Sequence, residues 1–588
     1  MVPSASRALL AAIIAAKASA FAQIDNKTYE YIVVGSRPGA GHSVLLLEAG
    51  DDQTENLNVL QSINFNAAGN DPATRWDFFV RHSDDDVREA RYLHRTWRKP
   101  DGDFFVGNDP PAGSKPEGIY YPHAGTLGGC AMHNGCLTMN PNDADWDEIA
   151  ELTGDESWSH ENMRKYLIRP ERVHYNSISQ HGHNGWLDMT ISAPAAQAAG
   201  FKASDTSTLL QRDMNSDQPN RDNLVGPFGR RYNARDTASS GKYPLTISLD
   251  TLAIKIIFKK TGNKPKASGV EYLQGKSMYS ADPRYNAADK GVAGKVFASK
   301  EIIISGGAFN SPQLLLLSGI GPKEQLNKFK IPVAADSLGV GRSVADNYEA
   351  GILSLSKRAV TGMSEIFPKF WKTSQGATRD IYVWCGSFAF EGFWPGFLHR
   401  PPFFNETYGP SQYECALVHM NPRSQAGVVE LRSADPRDLS AINLNFVKEP
   451  GSDKDLQAIY EGVEWVRSWL SKVNPSDHNS LAPFNELRPC EGMIGGQNCT
   501  VESKKTYIKE QAYSHHASSS ARIGSEDDKM AVFDSMFWVC GVDRLRVVDA
   551  SSFPKVPGGF PVLPTMMLSE KATDDVLAEQ YQNMLMVR

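Results

Sequence analysis

The 588-residue sequence predicts a mixed α/β (α+β) fold of two domains, and three observations predict it. Two short apolar, β-branched runs near the start, Y-E-Y-I-V-V-G at 29–35 and V-L-L-L-E-A-G at 44–50, read as buried parallel strands. Later strand-like runs at 245–258, 267–273 and 301–305 lead into an apolar helical pattern. The segments between, about 150–240 and 345–505, are richer in aromatics, proline and polar loops, and read as a second domain roofing the first.

Composition narrows the function. With 41% hydrophobic and 22% charged residues the chain is ordinary globular material, long enough for two or more cores. A net charge of -7 and no run of Lys or Arg exclude the clustered basic footprint that nucleic acid requires. A small-molecule substrate is the natural partner.

The N-terminus carries Arg7, an apolar stretch at 8–16, Lys17 and then Ala18-Ser19-Ala20, the pattern of a secretion signal over residues 1–20. The alternatives are a frayed apolar end or a membrane anchor, but nine apolar residues fall short of the roughly 20 that cross a bilayer. The mature chain is therefore expected to be secreted, with no membrane anchor. Sequons at Asn26, Asn405 and Asn498 are compatible with glycosylation. Seven cysteines are too few for a disulfide scaffold, and the absence of any C-x-x-C pair predicts no metal site. Cys490 and Cys499 close a Gly-rich loop and can pair.

The first strand ends at Gly35-Ser36, and the second carries Glu48 near its end. In a dinucleotide-binding unit the first strand runs into a glycine-rich turn and a crossover helix, and an acid on the second strand meets the ribose hydroxyls, which makes Glu48 the ribose ligand. Only nine residues, G-S-R-P-G-A-G-H-S, separate Val34 from Val44, whereas a crossover with its helix needs about 10–12 or more. Gly35, Gly39 and Gly41 lack G-x-G-x-x-G spacing, Arg37 stands where the second glycine belongs, and Pro38 opposes a helix. The first crossover helix is missing from the pattern. Either the chain is a variant that binds a dinucleotide weakly or not at all, or it has lost a segment of the usual motif. After 301–305 the loop G-G-A-F-N leads to a helix with Asn310 or Ser311 as N-cap and Pro312 in its first turn. An aromatic cluster at 388–397 reads as core packing before substrate box.

Three motifs carry a family resemblance. G-A-F-N-S-P-Q-L-L-L-L-S-G-I-G at 307–321, G-T-L-G-G-C-A-M-H-N-G-C at 125–136, and S-H-H-A-S-S-S-A-R-I-G at 514–524 with L-R-V-V-D-A-S-S-F-P-K-V-P-G-G-F-P-V-L-P-T at 545–565 together resemble the signatures of the glucose-methanol-choline (GMC) oxidoreductases. The resemblance spans nearly the whole mature chain. It implies a Rossmann-like FAD-binding domain assembled from 26–150, 241–344 and 506–588, and a substrate-binding domain on an antiparallel sheet from 151–240 and 345–505.

By the same resemblance Thr126, Leu127, Gly128, Gly129, Asn134 and Gly135 line the flavin and diphosphate. Adjacent glycines let backbone approach a ligand, and an Asn side chain both donates and accepts there. His133 falls where choline-oxidase-like members carry a covalent flavin link, and hydrogen bonding near the ring is the blander reading, which is preferred. Ala253 stands where a valine backbone commonly meets the adenine, and Asp549 and Ala550 match flavin-contact positions. Phe560 and Pro561 precede a helix, M-M-L-S-E-K-A-T-D-D-V-L, whose N-terminal dipole would stabilise reduced flavin.

Alignment of H-A-S-S-S-A-R-I-G puts His516 at the catalytic position, with His515 behind it. Hydride leaves an alcohol carbon only as the hydroxyl loses its proton, so a histidine base beside it is required chemistry. The chain departs from the family in two ways. Phe560 replaces the usual second His or Asn, and Asn347 replaces a common histidine. The combined C-terminal motifs look like fungal members of the patulin-synthase kind, which act on natural-product alcohols. The implied function is an FAD-dependent oxidation of a primary or secondary alcohol, with oxygen or another electron acceptor. The alternatives are a flavin-free or redox-silent member acting as lyase or cyclase, or an inactive remnant.

Overall fold

The computed structural model describes residues 23–35, 42–60, 65–135, 141–173, 181–191, 222–224, 244–262, 264–359, 367–386, 388–396, 408–449, 451–477, 480–496 and 498–586. The expected leader at 1–20, Ser36 and the rest of the turn at 36–41, Cys136, Asn405 and Phe397 lie outside them.

The strands that position the site are β1 (Thr28–Val34), β2 (Val44–Leu47), β3 (Arg75–Val80), β4 (Lys115–Ala124), β5 (Leu245–Ser248), β6 (Thr251–Thr261), β7 (Lys264–Gln274), β8 (Val292–Ile304), β9 (Tyr348–Leu355), β10 (Phe367–Trp371), β11 (Ile381–Gly386), β12 (Gln412–His419), β13 (Asn485–Arg488), β14 (Gly492–Met493) and β15 (Leu545–Val547). The helices are α1 (Gly307–Leu317), α2 (Asp453–Leu470) and α3 (Val562–Met586).

Seven strands make the first sheet in the order β5-β2-β1-β8-β7-β6, with β15 also paired to β8. β5, β2, β1, β8 and β15 run parallel, and β7 and β6 continue antiparallel from the first half of β8. The apolar runs foreseen at 29–35 and 44–50 are the central strands because a parallel strand buries both faces, and Leu45, Leu46, Ile32 and Ile302 are 1% exposed or less. The segment that decides whether a crossover helix is present, 36–41, lies outside the described residues.

The helix after β8 corrects one expectation. It begins at Gly307 with Gly306 as its N-cap, so Asn310 and Ser311 lie inside it and Pro312 is past the first turn. The physical reason is a cap made from within. The Ser311 hydroxyl accepts a hydrogen bond from the Gly306 N–H (2.9 Å) and donates to Asp549, and the Gly307 N–H also donates to Asp549 (2.9 Å). The helix is buried along its length, with Leu315 and Leu316 fully covered in the first core. The C-terminal helix also starts earlier than read, at Val562 directly after Pro561, and extends to Met586.

The second sheet is six-stranded and antiparallel, in the order β10-β11-β12-β9-β13-β14. α2 lays Ala458, Ile459, Val463, Val466 and Leu470 against it, a spacing of three and four residues that makes one apolar stripe. Cys385 and Cys415 face each other across β11 and β12 and are disulfide-bonded, and Cys490 pairs with Cys499 as foreseen. Among the described residues no helix is long and apolar enough to cross a membrane.

Candidate active site

The His515-His516 pair lies beside the start of β9. Its loop runs antiparallel to the start of β9 and is pinned at both ends by paired backbone bonds, Glu349 with Tyr513 (2.9 and 3.0 Å) and Ala345 with Ser518 (3.2 and 2.9 Å). Between the pins a buried relay fixes the histidines. The Tyr121 hydroxyl of β4 donates to Asp346 Oδ2 (2.7 Å) and accepts from the Ala517 N–H (2.7 Å), while the His516 N–H donates to Asp346 Oδ1 (2.7 Å). Burial pushes the Asp346 carboxyl up to about 7.

The two imidazoles lie 3.9 Å apart between centroids, tilted by 48°. His515 meets Phe393 edge-on at 4.9 Å, and His516 meets Phe560 at 4.9 Å. Phe560, 8% exposed, also contacts Tyr382 (5.6 Å), so the departure at this position gives His516 an apolar wall in place of a polar partner. Beneath them is Glu349, whose Oε1 lies 3.4 Å from His515 Nδ1 and 3.6 Å from His516 Nδ1. Burial, followed by repulsion from Asp346, holds the Glu349 carboxyl well above its usual range. Burial lowers both imidazoles, His515 to about 3 with a further push from His133, and His516 well below its usual range with a further push from His515. Both imidazoles are therefore held neutral, and a neutral imidazole is the form that accepts a proton.

On the opposite side stand the residues expected to hold a dinucleotide. Gly35 ends β1 at φ 98, and a Cβ there would lie 2.1 Å from the Ser305 carbonyl oxygen, so only glycine passes. Glu48 is 8% exposed at the end of β2, accepting from the Gly50 N–H (2.9 Å). The loop after β4 lies against the loop that follows Glu48. Thr126 Oγ1 and the Leu127 N–H both donate to the Asp51 carbonyl (2.8 and 3.0 Å). Gly128 and Gly129 take positive φ, and a Cβ on Gly129 would meet nothing within 4 Å among the described residues. A one-turn helix, Gly129–Met132, then delivers His133 and Asn134, with Gly135 exposed beyond. Ala253 is on β6 at a register shift, packed against the first core.

These features fit FAD: a buried acid at a strand end and backbone without side chains. The Asp549 carboxylate accepts from the Gly307 N–H (2.9 Å), the Ser311 hydroxyl and the Ser551 N–H (2.8 Å), so Asp549 joins the C-terminal segment to the start of α1.

Sequence reasoning missed Glu349, Asp346 and Tyr121, which lie far from the histidines along the chain; Asp346 sits beside Asn347 in G-V-G-R-S-V-A-D-N, where only Asn347 drew notice. It also missed His123. Burial alone would push the Cys130 thiol up, but the His123 and His133 imidazoles outweigh it and hold it well below its usual range. Asn347 is fully buried, its amide donating to the carbonyls of His419 (2.9 Å) and Met420 (3.3 Å), which ties β9 to β12 where the family has a histidine. In the aromatic cluster Phe388 and Phe390 are core residues as read, while Phe393 reaches His515.

Residues 96–349 and 422–569 match the two family models described as GMC oxidoreductase. The chain is 29% identical over 77% of its length to an oxygen-dependent choline dehydrogenase of Pseudomonas syringae pv. tomato, covering 79% of that protein. It is 26% identical over 93% of its length to the mitochondrial choline dehydrogenase of Homo sapiens, covering 89% of it. The fold matches the crystal structure of pyridoxine 4-oxidase from Mesorbium loti with a TM-score of 0.69 at 19% identity, over 94% of this chain and 99% of that one. The chain belongs to the GMC oxidoreductase family, the FAD-dependent oxidoreductases of alcohol-type donors.

Proposed function

We propose that this chain oxidises a primary or secondary alcohol to the carbonyl compound, with His516 as the base. The observation that carries the reading is the His515-His516 loop, held by Tyr121 and Asp346 beside the glycine loop that delivers His133. FAD, when bound, supplies the acceptor for the hydride that leaves the carbinol carbon. His516 turns Nδ1 toward Glu349 Oε1 (3.6 Å), so Nε2 is the nitrogen that meets the substrate hydroxyl and takes its proton as the C–H bond breaks. The Asp346 carboxylate and Tyr121 hydroxyl hold the backbone of this loop and so the angle of the ring. Phe560 and Phe393 form apolar walls that exclude water from the reacting bond. With Phe560 unable to hydrogen-bond, His515 and Glu349 are the polar groups that take the part of the usual second residue.

Glu48 would hold the adenosine ribose, and the backbone at Gly128-Gly129 the flavin side. His133 serves as a hydrogen-bonding neighbour of the ring. Oxygen or another acceptor completes turnover, and the leader-like residues 1–20 support secretion, tested by finding the full chain in culture medium. His516→Gln should lower kcat by about 100- to 10,000-fold while the flavin content stays that of wild type. A fully active, flavin-replete His516→Gln protein would overturn the assignment.

A further inference from the structure

Among the described residues, three polar atoms at the foot of the histidine pair have no hydrogen-bond partner: Glu349 Oε1, His515 Nδ1 and His516 Nδ1. They converge, all within 4.8 Å of one another, with the carboxylate oxygen 3.4 and 3.6 Å from the two nitrogens. Neither contact is a hydrogen bond, the one to His516 being too long, and the Glu349 side chain is 2% exposed. A buried, unpartnered carboxylate oxygen aimed at two imidazole nitrogens is costly unless something sits between them.

We propose that Glu349, His515 and His516 form a binding site for a divalent transition-metal ion of the zinc type, ligated through Glu349 Oε1 and the two Nδ1 atoms. A tetrahedral ion with bonds of about 2.0–2.2 Å separates its ligand atoms by about 3.3–3.6 Å, which is the spacing of Glu349 Oε1 from each nitrogen. Two imidazoles and one carboxylate suit zinc, and three protein ligands leave a fourth position open. The ligands come from β9 and from the loop pinned to it by the Glu349-Tyr513 backbone pair, so the ion needs no rearrangement of the main chain. An ion on His516 Nδ1 leaves the ring proton on Nε2, where the ring can no longer take one from the alcohol. The ion is an inhibitor, and this part of the inference rests on the reading of His516 as the base.

The test is titration of the purified holoenzyme with zinc chloride by calorimetry, with metal content measured after gel filtration. The expected result is one zinc per chain, weakened more than about 100-fold in Glu349→Gln and in His515→Phe, with thermal melting and flavin content compared with wild type to show that each is folded. If one variant fails to fold, the other carries the test. No stoichiometric binding, or binding equally tight in the folded variants, overturns the site. Zinc should also lower kcat for alcohol oxidation, and a chelator should restore it. The two readings fail separately. Zinc bound by a chain that no alcohol reduces leaves the metal site standing, and a chain reduced by alcohol that binds no zinc removes it.

Discussion

Glu48→Gln separates what this residue does for the fold from what it does for the cofactor. Its carboxyl is fully enclosed at the end of β2, and burial, only partly offset by hydrogen bonds from the Gly50 and Ala49 backbone, pushes it from the ordinary 4.5 to about 7. The folded chain therefore holds this proton more tightly than the unfolded one. The resulting stability is complete below about pH 4.5 and is lost as pH rises through about 7. At about 1.4 kcal/mol for each pKa unit, wild type forfeits about 3 kcal/mol between about pH 4 and about pH 8 on this account. Gln has the same shape, keeps an oxygen for the Gly50 N–H and does not ionise, so the variant forfeits none of it. Urea unfolding of the apo chain, followed by tryptophan fluorescence across this range, should show the variant gaining on wild type by about that amount at the alkaline end. FAD titration should show the opposite cost, about 10- to 100-fold weaker binding, because a charge-assisted bond to ribose is lost. Parallel pH curves for the two proteins would refute the buried-carboxylate argument, and unchanged FAD affinity would refute the ribose role.

Other outcomes follow from the same geometry. Tyr121→Phe removes the hydroxyl that serves both Asp346 and the Ala517 N–H, and should cost about 1–3 kcal/mol of stability and lower kcat, with KM for the alcohol little changed. Leu316→Ala, in a fully covered position of α1, should cost about 2–5 kcal/mol by chemical denaturation without altering the flavin spectrum. Phe560→Ala opens the wall beside His516 and should destabilise by about 3–5 kcal/mol while admitting bulkier alcohols, read as a changed ranking of kcat/KM.

The central strands were legible because a strand buried on both faces must be an unbroken apolar run, and residues 32–34 and 44–47 are such runs. The start of α1 was misread because its cap comes from Ser311, inside the helix, and from Asp549, far along the chain; a local rule looks for the cap just ahead of the helix. The two histidines stood out through their motif. Glu349 did not, since only the pairing of β9 with residue 513 brings it under them, and no spacing along the chain encodes that. The Cys385-Cys415 bond was hidden for the same reason, its partners meeting only through the register of β11 and β12.

The most direct test of the account is anaerobic mixing of the purified chain with a panel of primary and secondary alcohols while the visible flavin band is followed. The account predicts near-stoichiometric FAD in the wild type, a band that bleaches with at least one alcohol, and a His516→Gln protein that carries the same flavin yet bleaches at least about 100-fold more slowly. A folded chain without flavin, or equal bleaching in both proteins, would contradict it.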